Sequence, residues 1–440
     1  MKLSGWGQFP RKECKIYRPR TPEAVAQQIA RGPLIARGNG RAYGDSALNP
    51  ASTLDMRGFD RMSAFNDISG QLVAEAGVLL SDIITSFMPR GWFPAVTPGT
   101  KFVTVGGMIA ADVHGKNHHK DGSFSQFIDW IDVMGSDGLV TRCGPDQNAD
   151  LFNWTVGGMG LTGVILRAAF RLRPVQSGWI EQTTVPAANL DAAIEIFETH
   201  QHATYSVAWI DCLASGDALG RSLVMLGEHT PRQALPTKLK RKPFETPRKG
   251  IRRVPFNAPG FALNPYTVRA FNALYYYKGS RKAGVHLVDW DSYFYPLDGI
   301  LDWNRIYGSN GFAQFQCALP LATSQAGLTA LLTRLSAAGQ GSFLAVLKRF
   351  GPQDSRFSFP MEGYTLALDF PVRPKTLSLL SELDEITLAH GGRFYLAKDS
   401  RMTSDTMRRS DDRLQSFLDM RDETGVSTQF NSIQSERLKI

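Results

Sequence analysis

Regular patterns of apolar and polar positions are short in this chain, and their period changes from one stretch to the next. TPEAVAQQIARG predicts a helix with Thr21 as N-cap and Pro22 at the first helical position, where a missing N–H leaves no hydrogen bond unmade. PLIA follows and predicts a strand. Strand patterns then dominate. GQLVAEAGVLL and IDWIDVMGSDGLVTRC place strand-forming apolar residues around turns, the second with the hairpin pair Asp137-Gly138. DLFNWTV predicts a helix, and after it Val164, Leu166, Ala168, Phe170 and Leu172 alternate with more polar positions as a strand does. No regular βαβ series emerges, so the fold class is α+β.

Glycine clusters punctuate these elements. In LIARGNGRAYGD, three glycines interspersed with two arginines form a loop suited to an anion, because residues without a Cβ let several N–H groups converge on one small space. The loop lacks the Lys-Ser/Thr of a Walker motif, and Pro50 with its polar neighbours stands where a Rossmann helix should begin. A plain structural turn is the alternative. Gly158, Gly160 and Gly163 spell G-x-G-x-x-G, but with a helix before and a strand after, the reverse of the dinucleotide fingerprint.

At 440 residues, 43% of them hydrophobic, the chain predicts two domains, each with its own core. No apolar run approaches the length of a membrane span and the N-terminus shows no apolar leader, so the expected location is the cytoplasm or the periphery of a membrane. Cys14, Cys143, Cys212 and Cys317 are far apart and read as free thiols. Arg232 to Arg253 hold nine Lys or Arg against the single Glu245, equal in excess to the formal net charge of +8. Three prolines and no apolar period make that segment a mobile surface loop, either a solvated insertion or one drawn to an anionic membrane or phosphorylated ligand. No recognition helix or stacking module accompanies the charge, which argues against nucleic acid.

TPGTKFVTVGGMIAADVHGKNHHKDGSF joins a Pro98-Gly99 turn, the Gly106-Gly107 pair and a knot of histidines around Lys116. His114, His118 and His119 suggest a metal at first, but no acidic or thiolate ligand stands at helical spacing, so no metal site is assigned. Ordinary surface histidines are the plain alternative.

The glycine loop, TPGT…VGG…HGKNHH, WTVGGMGLTG and FYLAKDSR, in this order over nearly the whole chain, resemble flavoproteins of the vanillyl-alcohol-oxidase superfamily. Within it they are most similar to the branch that oxidises the 2′-hydroxyl of a polyprenylphosphoryl-β-D-ribose, the FAD subunit of an epimerase supplying the arabinose donor for cell-wall arabinan. The resemblance implies non-covalent FAD, a nicotinamide-dependent keto-reductase acting on the product, and a possible peripheral membrane setting. It implies a FAD-binding domain over 1–175, a substrate domain of antiparallel sheet over 176–390 with the basic mobile loop at about 227–260, and a segment 391–440 returning to the FAD domain.

The resemblance also assigns residues. Arg37, Gly38, Asn39, Gly40, Arg41, Ala42, Tyr43, Gly44 and Ser46 would wrap the FAD pyrophosphate. Pro98, Gly99, Thr100, Gly106, Gly107, Ala111, Val113, His114 and Gly115 would line the flavin and ribityl chain, Gly158 and Val164 the adenine half, and Tyr395 the ring system. Lys398, His114, Lys116 and Tyr43 would be catalytic; Gln314, Gln316, Lys348, Asp369 and Lys398 would meet substrate, beside the aromatics of YFYPLD.

Three features depart from the branch: Ala367 replaces a cysteine, FNSIQSERL lacks an aspartate, and the glycine loop carries Asn39 and Ala42. Oxidation of a free alditol, aldonolactone or other carbohydrate is therefore the alternative chemistry, and a flavin-binding scaffold without activity the alternative class. Retention of His114, Lys116 and Lys398 argues against the scaffold, since a dead pocket has no electrostatic need for such groups.

Overall fold

A computed structural model describes residues 1–247, 250, 252–259, 263–342 and 344–440. The helix Pro22–Ile29 forms as its sequence predicts, with the Thr21 hydroxyl accepting from the Ala24 N–H and Pro22 in the first turn. It leads into Ile35–Arg37, an edge of a three-stranded parallel sheet with Thr53–Asp55 at the centre and Ile16–Tyr17 beyond. The glycine loop leaves the end of this edge strand.

A second sheet is antiparallel, in the order Val140–Cys143, Ile128–Met134, Val164–Pro174, Gln71–Glu75, Met62–Phe65, with Trp92–Pro94 paired to the far end of the long central strand. The hairpin turns at Asp137-Gly138, where Gly138 takes φ 77°. Helix Ala149–Thr155 precedes the strand Val164–Pro174, the reversed context expected for the G-x-G-x-x-G match.

The third sheet has eight strands, all antiparallel: Gly284–Asp289, Trp179–Ala187, Ser222–His229, Tyr205–Ile210, Ala345–Phe350, Gly363–Pro371, Phe312–Pro320 and Arg393–Phe394. Strand alternation sorts its side chains. Ala313, Phe315, Cys317, Leu347, Leu366 and Leu368 point to one side, into a core closed by helices Leu190–Thr199, Leu321–Ala338 and Pro374–Ala389. Their neighbours Gln314, Gln316, Lys348, Ala367 and Asp369 emerge on the other, where pairing sets Gln314 opposite Asp369 and Gln316 opposite Ala367. Polar residues interleaved with core residues thus converge on one face.

The basic stretch is more ordered than a loop from residue 227 implies. Gly227 to His229 close the interior strand Ser222–His229, which pairs with a strand on each side, because the apolar run of SLVML carries the backbone into the sheet. Thr237–Lys240 is helical and Arg252–Arg253 pairs with Ile300–Leu301. Arg248, Lys249, Ile251 and Gly260 lie outside the described residues. All four cysteines are free and buried.

The last segment of the chain returns to the glycine loop. The Tyr43 N–H donates to the Ala397 carbonyl at 2.9 Å, and Arg437 bridges Asp45 and Asp399, both at 2.8 Å. No helix among the described residues is long and apolar enough to cross a membrane.

Candidate active site

Between the polar face of the eight-stranded sheet, the glycine loop and the helix Val105–Ala110 lies a cavity of about 670 Å³. That is the range of small-molecule and cofactor sites. Its wall includes Arg37 to Tyr43, Ser46, Pro98 to Thr100, Gly106, Gly107, Ala111, Val113 to Lys116 and Tyr395. Gln314, Gln316, Lys348, Asp369 and Lys398 line it too. Nearly all residues singled out from the sequence are therefore brought together.

Three are not. Gly44 backs onto the C-terminal segment, close against Asp399 and Ser400. Gly158 sits against the Trp154 carbonyl at the end of the preceding helix. Val164 points into a core with Val25, Leu34 and Phe430. Their neighbours Met159, Gly160, Gly163 and Ile165 take the lining positions, Ile165 because successive strand residues leave by opposite faces. Of YFYPLD, Phe294, Pro296, Leu297 and Asp298 reach the cavity, whereas Tyr293 and Tyr295 pack beneath it.

The glycine loop's composition follows from its contacts. Gly40 has φ 65°, and a Cβ there would stand 2.3 Å from Arg37 Nη2; at Gly38 it would stand 2.1 Å from Thr104 Oγ1. Arg37 itself donates to the Ser4 carbonyl at 2.8 Å, bracing the loop, while Arg41 lies over the Trp6 ring at 4.1 Å. Arg41 Nε is buried without a hydrogen-bond partner among the described residues, as is His114 Nδ1 deeper in. A cavity of this volume with two guanidinium groups, unsatisfied donors at Arg41 Nε and His114 Nδ1, and glycines where a Cβ would clash fits FAD.

The inner end collects titratable groups in a mostly apolar enclosure. Gln316 Nε2 stands 3.2 Å from His114 Nε2, and since the amide donates, that ring nitrogen accepts and the hydrogen sits on Nδ1. Burial, reinforced by Lys348 and His118, holds the His114 imidazole well below its ordinary range, so it is neutral. The Lys116 ammonium donates to the Tyr293 carbonyl and lies 4.0 Å from that ring's centroid. Burial and the nearby Lys348 lower Lys116 to about 7, and burial lowers Lys348 to about 8. Lys398 is also lowered, to about 7, by burial and Lys348 against the opposing pull of Asp369. Burial raises Asp369, which accepts from Gln314 at 2.5 Å and from the Tyr307 hydroxyl at 3.5 Å. His118 and His119 turn elsewhere, to Gln353 Oε1 and the Ala203 carbonyl, so the three histidines form no common ligand set.

Sequence reasoning missed Trp209, Met225, Val346, Ile165 and Met159 on the wall, and Tyr307 behind Asp369. The short apolar runs SVAWI and SLVML could have marked the first two as belonging to buried strands. Nothing in the sequence tied Tyr307 to the site.

Residues 16–144 match the FAD binding domain family. Over its full length the chain is 32% identical to decaprenylphosphoryl-beta-D-ribose oxidase of Mycolicibacterium smegmatis, with 97% of that protein covered. Local likenesses extend to cytokinin dehydrogenase 9 of Oryza sativa subsp. japonica, 29% identical over 32% of this chain and 28% of that one, and to L-gulonolactone oxidase of Mus musculus, 28% over 31% of each. Fold and cavity therefore define an FAD-dependent oxidoreductase of the vanillyl-alcohol-oxidase superfamily, acting on a CH–OH group. Within that class the chain belongs to the decaprenylphosphoryl-β-D-ribose oxidase family.

Proposed function

We propose that this protein oxidises the 2′-hydroxyl of a polyprenylphosphoryl-β-D-ribose to the 2′-keto sugar, the first half of an epimerisation whose second half is a nicotinamide-dependent reduction to the arabinose donor for cell-wall arabinan. The observation that carries the reading is the grouping of Lys116, Lys348 and Lys398 with Asp369 in a cavity whose lining is mostly apolar. Such a site suits a sugar phosphate on a lipid. A free polyol would instead call for hydrogen-bonding side chains on every wall.

The residues divide the work. FAD, held without a covalent bond by the 37–46 loop and the 98–115 segment, supplies the hydride acceptor. Lys398, neutral in part near pH 7, accepts the hydroxyl proton; Asp369 and Tyr43 hold it in place. His114, fixed by Gln316, keeps its Nδ1–H for a ligand oxygen. Lys348 and Lys116, both on the cavity wall, would balance the negative charge of the substrate phosphate and of a flavin bound beside them. In this reading residues 1–175 and 391–440 form the cofactor unit and 176–390 the substrate unit, and the basic segment faces a membrane surface.

Product analysis tests it. After turnover of polyprenylphosphoryl-ribose, borodeuteride should place deuterium at C2′ in a mixture of ribose and arabinose. Deuterium at another carbon, or none, contradicts the assignment.

A further inference from the structure

The helix Pro265–Ser280 rests on the eight-stranded sheet by one face. Asn264 caps it, accepting from the N–H groups of Tyr266 and Thr267. Val268 and Asn272 are buried beneath it; Asn272 donates to Asp211 at 2.8 Å, and the Tyr276 hydroxyl to the Ala187 carbonyl at 3.2 Å. At 3.6 residues per turn the side away from the sheet collects Tyr266, Leu274 and Tyr277, which are 81%, 51% and 55% exposed. Beside them Phe271 and Tyr275 are 44% and 41% exposed and at the same time line the cavity, Tyr275 with its ring centroid 4.7 Å from that of Trp209. An apolar strip thus runs from the outer surface of the helix into the cavity.

The charges beside this strip share one sign. Arg269 and Lys278 are the only charged residues of the helix, and Arg281 and Lys282 follow its last turn. Exposed tyrosines, an apolar arc and terminal cations together describe a helix lying in a lipid–water interface, with aromatic rings at headgroup depth and ammonium groups reaching phosphates. A second copy of this chain is a poorer match, because a two-fold contact through the same face would set cation against cation.

We propose that the exposed face of Pro265–Ser280 docks the protein on an anionic lipid surface, with Tyr266, Leu274 and Tyr277 in the interfacial layer and Lys278, Arg281 and Lys282 against lipid phosphates. A lipid-linked sugar phosphate then enters past Phe271 and Tyr275 while its chain stays in the membrane. This entry route rests on the substrate reading above; the docking does not.

The test uses the full-length holoprotein with phosphatidylcholine vesicles, with and without phosphatidylglycerol. Cosedimentation should require phosphatidylglycerol and weaken with added salt. Leu274→Glu and Tyr277→Glu, outside the cavity wall, should each lower vesicle affinity roughly tenfold or more while leaving flavin content and turnover of a water-soluble, short-chain prenylphosphoryl-ribose unchanged. Should either fail to fold, Tyr277→Trp supplies the same answer: its emission, after subtraction of the wild-type spectrum, should shift to the blue on anionic vesicles. No vesicle binding by the wild-type protein, equal binding by the glutamate variants, or an unshifted difference emission from Tyr277→Trp overturns the proposal; so does a lipid-free dimer that the glutamate variants dissolve, which would make this face a contact between copies. Loss of short-chain turnover in the wild-type protein would instead count against the substrate reading.

Discussion

The Lys398 Nζ lies 3.6 Å from the centroid of the Tyr43 ring. Burial keeps the Tyr43 phenol protonated, since its ionisation is pushed well above the ordinary range. The ring is therefore a neutral platform for the ammonium, and a contact of this kind contributes roughly 0.5–2 kcal/mol. Because the Tyr43 N–H also donates to the Ala397 carbonyl, the glycine loop and the proposed base are registered to each other through one residue.

Lys398→Ala is expected to lower kcat by about 10²–10⁴-fold, the usual contribution of a positioned proton acceptor, while flavin stays bound. Stopped-flow reduction and the flavin-to-protein absorbance ratio check both parts. Near-normal turnover would remove Lys398 from the mechanism.

The acceptor must be neutral, so activity should rise with pH. With Lys398 lowered to about 7, kcat/KM is expected to climb as pH increases through that value and to level off above it. Lys348 is one of the groups that lowers it, so Lys348→Met should let Lys398 keep its proton longer and move the midpoint upward. Lys116→Met should leave the midpoint near 7, since Lys116 is not among the groups acting on Lys398. A flat profile from pH 6 to 9 would contradict this assignment.

Arg437 compensates two buried carboxylates, Asp45 beside the glycine loop and Asp399 just after Lys398. Arg437→Ala leaves both unpaired, and breaking a buried pair in this way costs about 3–5 kcal/mol. Chemical denaturation should show that loss, and the variant should release flavin more readily. Unchanged stability would mean that solvent reaches the pair.

Much of this arrangement is legible in the sequence, and the limits are physical. Thr21 with Pro22 and Asp137 with Gly138 act over a few residues, so local chemistry announces the helix start and the hairpin turn. Gln314 and Gln316 can be read as one face because a core residue separates them. Val164 falls one strand position away from the cavity wall: alternation gives the period, but which phase faces the cavity depends on the sheet it joins. Gly44 reads as part of the pocket because the Asp399–Ser400 backbone that occupies its open side comes from the far end of the chain. The exposed aromatics of YYYKGS are legible, but the helix Pro265–Ser280 that carries them is not, since its exposed side is as apolar as its buried one and leaves no amphipathic signature.

Non-covalent attachment has a direct check. Acid precipitation should leave the FAD in the yellow supernatant, since the loop 37–46 offers no histidine for a tether. Flavin that stays with the pellet would point to a bond, with the histidines at 114, 118 and 119 the first to examine.

Anaerobic reduction of the bound flavin tests the substrate most directly. Polyprenylphosphoryl-β-D-ribose should bleach the flavin absorbance within the time of one turnover, whereas xylitol, sorbitol and a free aldonolactone at the same concentration should leave it yellow. Bleaching by a free sugar alcohol or lactone as fast as by the lipid-linked ribose would contradict the account and make the protein an oxidase of soluble carbohydrates.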